Sequence, residues 1–244
     1  LPAVYNNYLR LSGDINYDNS IDDIRSSLFP LHITSFCICD ALEDQSYFGA
    51  EQIIIVSASS KTAIGLAQGL QEDSNAPSVI GLTSKKNIDF VENLNCYDEV
   101  ITYDYLSNVN FNLKSVIVDM AGSREILGTL HGWLADKMLK CLTVGMTHWD
   151  NEVTAEDALG QAMLRERTEF FFAPGHIQKR VKDWGYEGYN QKTTDFMKAR
   201  SNQSIDWMQV KKINGLENFI STYEKFVSGD INPNEGIIVG LEHD

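Results

Sequence analysis

Residues 52–58 read QIIIVSA, and this stretch decides the fold. Its unbroken β-branched run, Ile53 to Val56, is typical of a strand buried on both faces at the centre of a parallel sheet. Small residues follow, and apolar residues then recur at helical spacing at Ala63, Ile64, Leu66, Ala67 and Leu70. A buried strand, a short turn and an amphipathic helix form the first half of a βαβ unit.

The same alternation continues towards the C-terminus. Further strands are predicted at residues 79–82, 99–103, 115–119 and 140–145, with helices at 86–94 and near 123–135. Short strands separated by roughly 10–15 helical residues indicate parallel pairing through right-handed crossovers. We therefore predict an α/β fold built on a doubly wound, Rossmann-like parallel sheet.

The flanking regions have weaker patterns. Pro30 interrupts the polar N-terminal segment, and the apolar spacing after it predicts a buried helix over 31–42. The later predictions are a helix at 153–169, strands at 170–172, 207–210 and 236–241, and an amphipathic helix at 215–228. Residues 175–205 are polar and mixed, and they receive no assignment.

Composition limits the classes of function. The chain has 244 residues, 43% of them hydrophobic, and a net charge of −14. An acidic surface repels a phosphate backbone, which disfavours nucleic-acid binding, and no apolar run reaches the ~18 residues of a membrane span. The chain begins at Leu1 instead of Met, so we expect a processed protein or a piece of a longer one.

The four cysteines are too few for a disulfide scaffold in a chain of this length. Cys37 and Cys39 lie two apart on a predicted helix and do not share a face, so we predict no metal site. Reduced core thiols predict an intracellular location, either the cytoplasm or an organelle matrix.

The turn after the first strand carries small and hydroxylated residues, with the sequence SASSKTA at 57–63. Amides at a helix N-terminus and the helix dipole favour an anion, so we predict that Ser59, Ser60, Lys61 and Thr62 bind a pyrophosphate. The alternative is that Ser59 or Ser60 only caps the helix. The turn lacks G-x-G-x-x-G, and it lacks the glycines of a P-loop, which disfavours an ATPase.

The end of the second strand bears on the choice of dinucleotide. Folds that prefer NAD usually carry an acid here, but this chain has Thr83, Ser84, Lys85 and Lys86. Hydroxyls and ammonium groups favour a 2′-phosphate, which predicts NADPH instead of NADH. The alternative is an ordinary helix start on the surface.

Polar residues also follow the later strands. Gly145 ends the predicted fifth strand, and Thr147 and His148 follow it. All three are predicted to lie near a nicotinamide. His148 either hydrogen-bonds the ligand or shuttles a proton, or it is a structural imidazole beside Trp149. Asp119 either caps a turn or touches the cofactor. No residue is assigned as catalytic.

Several stretches match a known superfamily in order: residues 28–36, 81–84, 90–94, 97–101 and 116–122. On these the chain resembles the cofactor-binding half of the medium-chain dehydrogenase/reductase superfamily. Residues 57–63, 145–149 and 171–174 are similar to a poorly characterised branch of it that has no assigned reaction. The similarity covers most of residues 5–241.

The resemblance implies a division of the chain. Members of this superfamily carry a GroES-like barrel before the sheet, so residues 1–30 are expected to be a remnant of that lobe. Residues 31–152 then form the dinucleotide-binding core. Residues 153–244 are expected to complete the core and return to the second lobe.

The resemblance also leaves two functions open. One is an NADPH-binding oxidoreductase-like domain, a medium-chain reductase that transfers hydride to a carbonyl or an activated alkene. The other is a non-catalytic accessory subunit of a larger assembly, in which a protein partner covers the missing lobe.

Overall fold

The computed structural model describes residues 18–145 and 165–240. Its helices are α1 (Asp22–Asp44), α2 (Lys61–Gln71), α3 (Ile88–Asn93), α4 (Arg124–Leu134), α5 (Ala173–Ser204) and α6 (Leu216–Val227). Its strands are β1 (Gln52–Val56), β2 (Ser78–Thr83), β3 (Glu99–Thr102), β4 (Ser115–Asp119), β5 (Met138–Thr143), β6 (Thr168–Phe170), β7 (Gln209–Asn214) and β8 (Glu235–Gly240). Short 3₁₀ turns are Asn19–Ile21, Ser46–Gly49, Lys85–Asn87, Tyr103–Asn108, Ala135–Lys137 and Arg165–Arg167.

The main sheet has six strands in the order β3-β2-β1-β4-β5-β6, and every neighbouring pair is parallel. This is the strand order of a dinucleotide-binding Rossmann fold. Strands β2 and β3 are added on one side of β1, and β4, β5 and β6 are added on the other side. The predicted doubly wound parallel α/β fold is confirmed.

Helices cover both faces of this sheet because alternate residues of a strand point to opposite sides. All five residues of β1 are buried. Ile53 and Ile55 pack in one apolar layer with α1 and α2, whereas Ile54 and Val56 pack in the other with α4. The β-branched run that predicted a central strand therefore serves two cores at once.

Helix α1 begins earlier than predicted, at Asp22, and continues through Pro30. A proline within a helix leaves the carbonyl four residues earlier without its amide donor. Here that carbonyl belongs to Ser26, and both residues are exposed, so water can satisfy it. Packing of the buried Leu28 then keeps the first turns helical.

Helix α5 occupies the polar stretch 175–205, which had no predicted structure. Several of its buried residues are polar or charged, among them Thr193, Arg200 and Ser204, and this hides the apolar period. Gly185, at φ +73°, interrupts its helical backbone. Strand β6 begins two residues before the predicted 170–172, and most of the predicted helix at 153–169 lies outside the described residues.

The chain divides into two compact units. One is Thr34–His176, which contains the six-stranded sheet, and the other comprises Leu1–Ile33 with Ile177–Asp244. In the second unit, β7 and β8 form a two-stranded parallel sheet joined through α6. Among the described helices, none is long and apolar enough to cross a bilayer.

Candidate functional site

The carboxyl ends of β1 and β4 mark the place in the sheet where a ligand is expected. These strands are parallel neighbours, with Val56 opposite Asp119. The chain leaves β1 towards β2 on one side and leaves β4 towards β5 on the other. Loops that diverge in this way open a crevice at the edge of the sheet.

The β1–α2 loop, residues 57–60, follows β1 at this edge of the sheet and leads into the N-terminus of α2. Ser60 caps α2, since its Oγ accepts a hydrogen bond from the Ala63 amide at 3.3 Å. Among the described residues, the amides of Ser59 and Thr62 donate to no acceptor. Unused donors at a helix N-terminus and the positive end of its dipole together favour an anion.

The hydroxyls of the loop are partly engaged. Ser59 is buried, and its Oγ accepts a hydrogen bond from Asn87 Nδ2 at 3.1 Å. Lys61 and Thr62 are half-buried, and the Thr62 carbonyl accepts from Ser35 Oγ at 2.8 Å. A hydroxyl that accepts one hydrogen bond still has a proton to donate, so Ser59 and Ser60 keep that capacity.

Two tyrosines hold the backbone of this loop. The Ser57 amide donates to Tyr103 Oη at 3.0 Å, and Tyr97 Oη donates to the Ala58 carbonyl at 2.9 Å. The Ala58 amide donates to the Leu82 carbonyl of β2 at 2.9 Å. Burial raises the pKa of both phenols, so each keeps its proton at neutral pH.

The predicted residues at the end of β2 differ in their exposure to solvent. Lys85 and Lys86 are exposed and Ser84 is half-buried. Thr83 is buried, and its Oγ1 has no hydrogen-bond partner among the described residues. Asn87, at the end of the same turn, is the residue that links this segment to Ser59.

A cavity of about 510 Å³ adjoins the loop. It is lined by Ser57, Tyr103, Asp104, Ala121, Ser123, Glu125 and Ile126. Sequence reasoning did not assign these residues to the site, although they lie at or just after the ends of the predicted first, third and fourth strands. Tyr103 in particular stands just beyond β3, where the prediction had extended the strand by one residue.

Asp119 caps the turn after β4. Its carboxylate accepts hydrogen bonds from the amides of Ala121 at 3.0 Å and Gly122 at 2.9 Å, and it is fully buried. Gly145 follows β5 beside this turn, and a Cβ on it would lie 2.4 Å from the Met120 carbonyl oxygen. Only glycine fits there. Thr147 and His148 lie outside the described residues.

The described residues contain no group of three or more potential metal ligands. All four cysteines are free thiols, and burial raises the pKa of Cys141 to about 12.

His176 contacts the Asp40 carboxylate through Nε2 at 2.5 Å, and Arg180 pairs with Asp183 at 3.3 Å.

The sequence matches a family model described as "Protein of unknown function (DUF2855)" over residues 1–232. The chain belongs to this family. Comparison with curated proteins finds no match. The description of this family assigns no reaction, as expected for the poorly characterised branch that the sequence resembles.

Solved structures that contain NADP or NADPH resemble the chain in fold. The YhdH oxidoreductase from Salmonella enterica in complex with NADP has a TM-score of 0.56 at 10% identity, over 87% of this chain and 61% of that one. YhdH of E. coli K-12 with bound NADPH has a TM-score of 0.54 at 13% identity, over 87% of this chain and 62% of that one. CurA from Vibrio vulnificus in complex with NADPH has a TM-score of 0.53 at 12% identity, over 87% of this chain and 62% of that one.

These comparisons confirm the resemblance to medium-chain reductases at the level of the fold. The chain spans about three fifths of the length of the structures that it matches. With identities this low, the similarity concerns the path of the backbone and not the chemistry.

Proposed function

We propose that the chain binds NADPH at the carboxyl edge of its six-stranded sheet. The observation that carries the proposal is the capped, donor-rich N-terminus of α2, which stands beside a cavity at the reversal of the strand order. Structures with the same fold hold NADP or NADPH. The residues present therefore fit a dinucleotide.

In this proposal the pyrophosphate lies on the β1–α2 loop. The amides of Ser59 and Thr62, the hydroxyls of Ser59 and Ser60, and the Lys61 ammonium supply donors and positive charge. Since the loop contains no glycine, its small serine and alanine side chains are what allow a phosphate to approach the backbone.

The adenosine half would extend towards the β2 and β3 ends. The cavity beside Tyr103 has room for a nucleoside, and its two carboxylates, Asp104 and Glu125, are acceptors for ribose or base donors. Lys85 and Lys86 are exposed after β2 and would attract the 2′-phosphate. Gly145 would lie on the other side of the crevice, towards the nicotinamide.

If the domain is catalytic, reduced nicotinamide supplies a hydride to a carbonyl carbon or to the β-carbon of an activated alkene. The product then needs a proton on the oxygen or the α-carbon. The described residues at the cavity include no histidine, so the proton would come from His148, from a further lobe or from water.

Thermal unfolding with and without millimolar dinucleotide tests the binding. Ligand that binds only the folded state raises its stability by RT ln(1 + [L]/Kd), so the midpoint is expected to rise with NADPH and less with NADH. ATP at the same concentration controls for a general effect of phosphate. Absence of a shift with both dinucleotides would remove the cofactor from the proposal.

A second measurement separates the two functions. The absorbance of NADPH is followed over time after an aldehyde, an enone or a quinone is added as a hydride acceptor. Oxidation of NADPH supports the reductase. Binding without oxidation of any acceptor supports a domain that keeps the cofactor as a structural ligand.

A further inference from the structure

We propose that Tyr97 and Tyr103 are positioning residues for the β1–α2 loop, and that their hydroxyls do the work that glycines do in other dinucleotide-binding turns. The inference rests on the proposed function, because it assigns the means by which this loop is held ready for a pyrophosphate. Neither tyrosine has to touch the phosphates for this role.

The loop needs external support because Ser57 has a left-handed backbone, with φ at +63°. Glycine adopts this conformation without a steric penalty, whereas a residue with a Cβ is disfavoured in it. A serine at this position is therefore expected to leave the left-handed region unless neighbouring groups hold it. The unbonded amides of Ser59 and Thr62 follow Ser57 in the chain, so a change of the backbone at Ser57 would move them.

Tyr103 holds the first peptide of the turn. Its Oη accepts the Ser57 amide at 3.0 Å, across 46 residues of sequence. Since β3 is separated from β1 by β2, the side chain reaches past the carboxyl end of β2 to make this bond. The Ser57 carbonyl is also used, accepting from the Ser60 amide at 2.9 Å.

Tyr97 holds the following residue from the other end of β3. Its Oη donates to the Ala58 carbonyl at 2.9 Å, and its ring lies against Gly81 of β2. A Cβ at Gly81 would be 2.8 Å from Tyr97 Cδ1, so the missing side chain provides the space for the ring. Gly81 in β2 thus leaves room for the tyrosine that holds a loop without glycines.

The experiment measures the Kd of NADPH and of NADH for the full chain and for the variants Tyr97→Phe and Tyr103→Phe, at a temperature where all are folded. We expect each variant to lose about tenfold in affinity, because an amide or carbonyl that loses its partner no longer fixes the turn. The loss should be equal for the two dinucleotides. Tyr105→Phe is the matched control, since Tyr105 is exposed and two residues from Tyr103.

Rescue distinguishes positioning from general stability. The loss caused by Tyr103→Phe is measured again in a Ser57→Gly background, with Ser57→Gly alone as the reference. If Tyr103 acts through the left-handed serine, the loss should become smaller, because glycine needs less support at φ +63°.

Each other outcome overturns the inference in a recognisable way. If the wild-type chain binds neither dinucleotide, the proposed function falls and this inference with it. If the wild type binds and both Phe variants bind equally well, only the inference falls. A loss confined to NADPH would show that the hydroxyl contacts the 2′-phosphate directly, and an undiminished loss in the Ser57→Gly background would show that Tyr103 does not act through Ser57.

Discussion

Two βαβ units of this chain have the same plan and very different surroundings. In β1–α2–β2, seven of the eleven residues of α2 are buried. In β7–α6–β8 the strands are also parallel neighbours, but none of the twelve residues of α6 is buried. Both helices are amphipathic, so their own sequences do not account for the difference.

The difference lies in what the flanking strands belong to. Strands β1 and β2 lie inside a six-stranded sheet whose faces are both covered, and α2 packs with α1 against one of them. Strands β7 and β8 form a sheet of two. In the part of the chain that the structure describes, six large apolar or aromatic side chains of α6 are exposed to solvent: Leu216, Phe219, Ile220, Tyr223, Phe226 and Val227. Burial, and not helical pattern, therefore decides where the stability of a unit comes from.

A matched pair of leucines gives the largest expected effect. Leu66 of α2 has no exposed surface, whereas Leu216 of α6 is 59% exposed. Leu66→Ala should lower the free energy of unfolding by about 3 kcal/mol, because it removes buried methyl groups and leaves a cavity. Leu216→Ala should cost less than about 0.5 kcal/mol. Urea denaturation of both variants measures this, and equal losses would mean that α6 is covered in the protein.

The same contrast shows what could be predicted from the sequence. The strand at 52–56 was predictable because its apolar run requires burial on both faces. The cavity was not, since Tyr103 meets Ser57 only because β3, β2 and β1 are adjacent in space. Chain order indicates which residues end strands, but the sheet order decides which of these ends meet.

A buried histidine gives the stability of the protein a smaller dependence on pH. His32 lies in the compact unit of the chain that also contains α6. Its pKa is lowered to about 4, mainly by burial and secondly by the Arg200 guanidinium. The unfolded chain, with a pKa near 6.5, binds more protons between these two values. The free energy of unfolding should therefore fall as the pH falls through this window, by about 1–2 kcal/mol from pH 7 to pH 5.

His32→Gln checks this prediction, because glutamine does not titrate. Urea titrations at both pH values should show a weaker pH dependence for the variant than for the wild type. The variant has its own stability at pH 7, so the comparison uses the change with pH and not the absolute value. An unchanged pH dependence would mean that other groups cause the acid sensitivity.

Each unit also carries a pair of adjacent lysines, which sharpens the comparison at the level of binding. Lys85 and Lys86 follow β2 and are exposed, whereas Lys211 and Lys212 on β7 pair with Glu235 and Asp23. Replacing the first pair by alanine should weaken NADPH binding by about tenfold and leave NADH binding nearly unchanged, because only NADPH has a 2′-phosphate.

The second lysine pair is the control for that measurement. Its replacement by alanine removes the same charge and should alter neither Kd, as measured by calorimetry. Equal effects of the two replacements would indicate a general electrostatic attraction and reject the assignment of the 2′-phosphate to Lys85 and Lys86.

The helix starts of the two units give the smallest expected effect. Ser60 caps α2 with its side chain, whereas Gly215 precedes α6 at φ +84° without a side-chain cap. Ser60→Ala should lower the free energy of unfolding by about 1 kcal/mol, and Ser60→Thr, which keeps the hydroxyl, by less. Gly215→Ser introduces a favoured cap residue, yet it should also destabilise, because an L side chain is strained at that φ. A stabilising Gly215→Ser in urea denaturation would contradict this backbone argument.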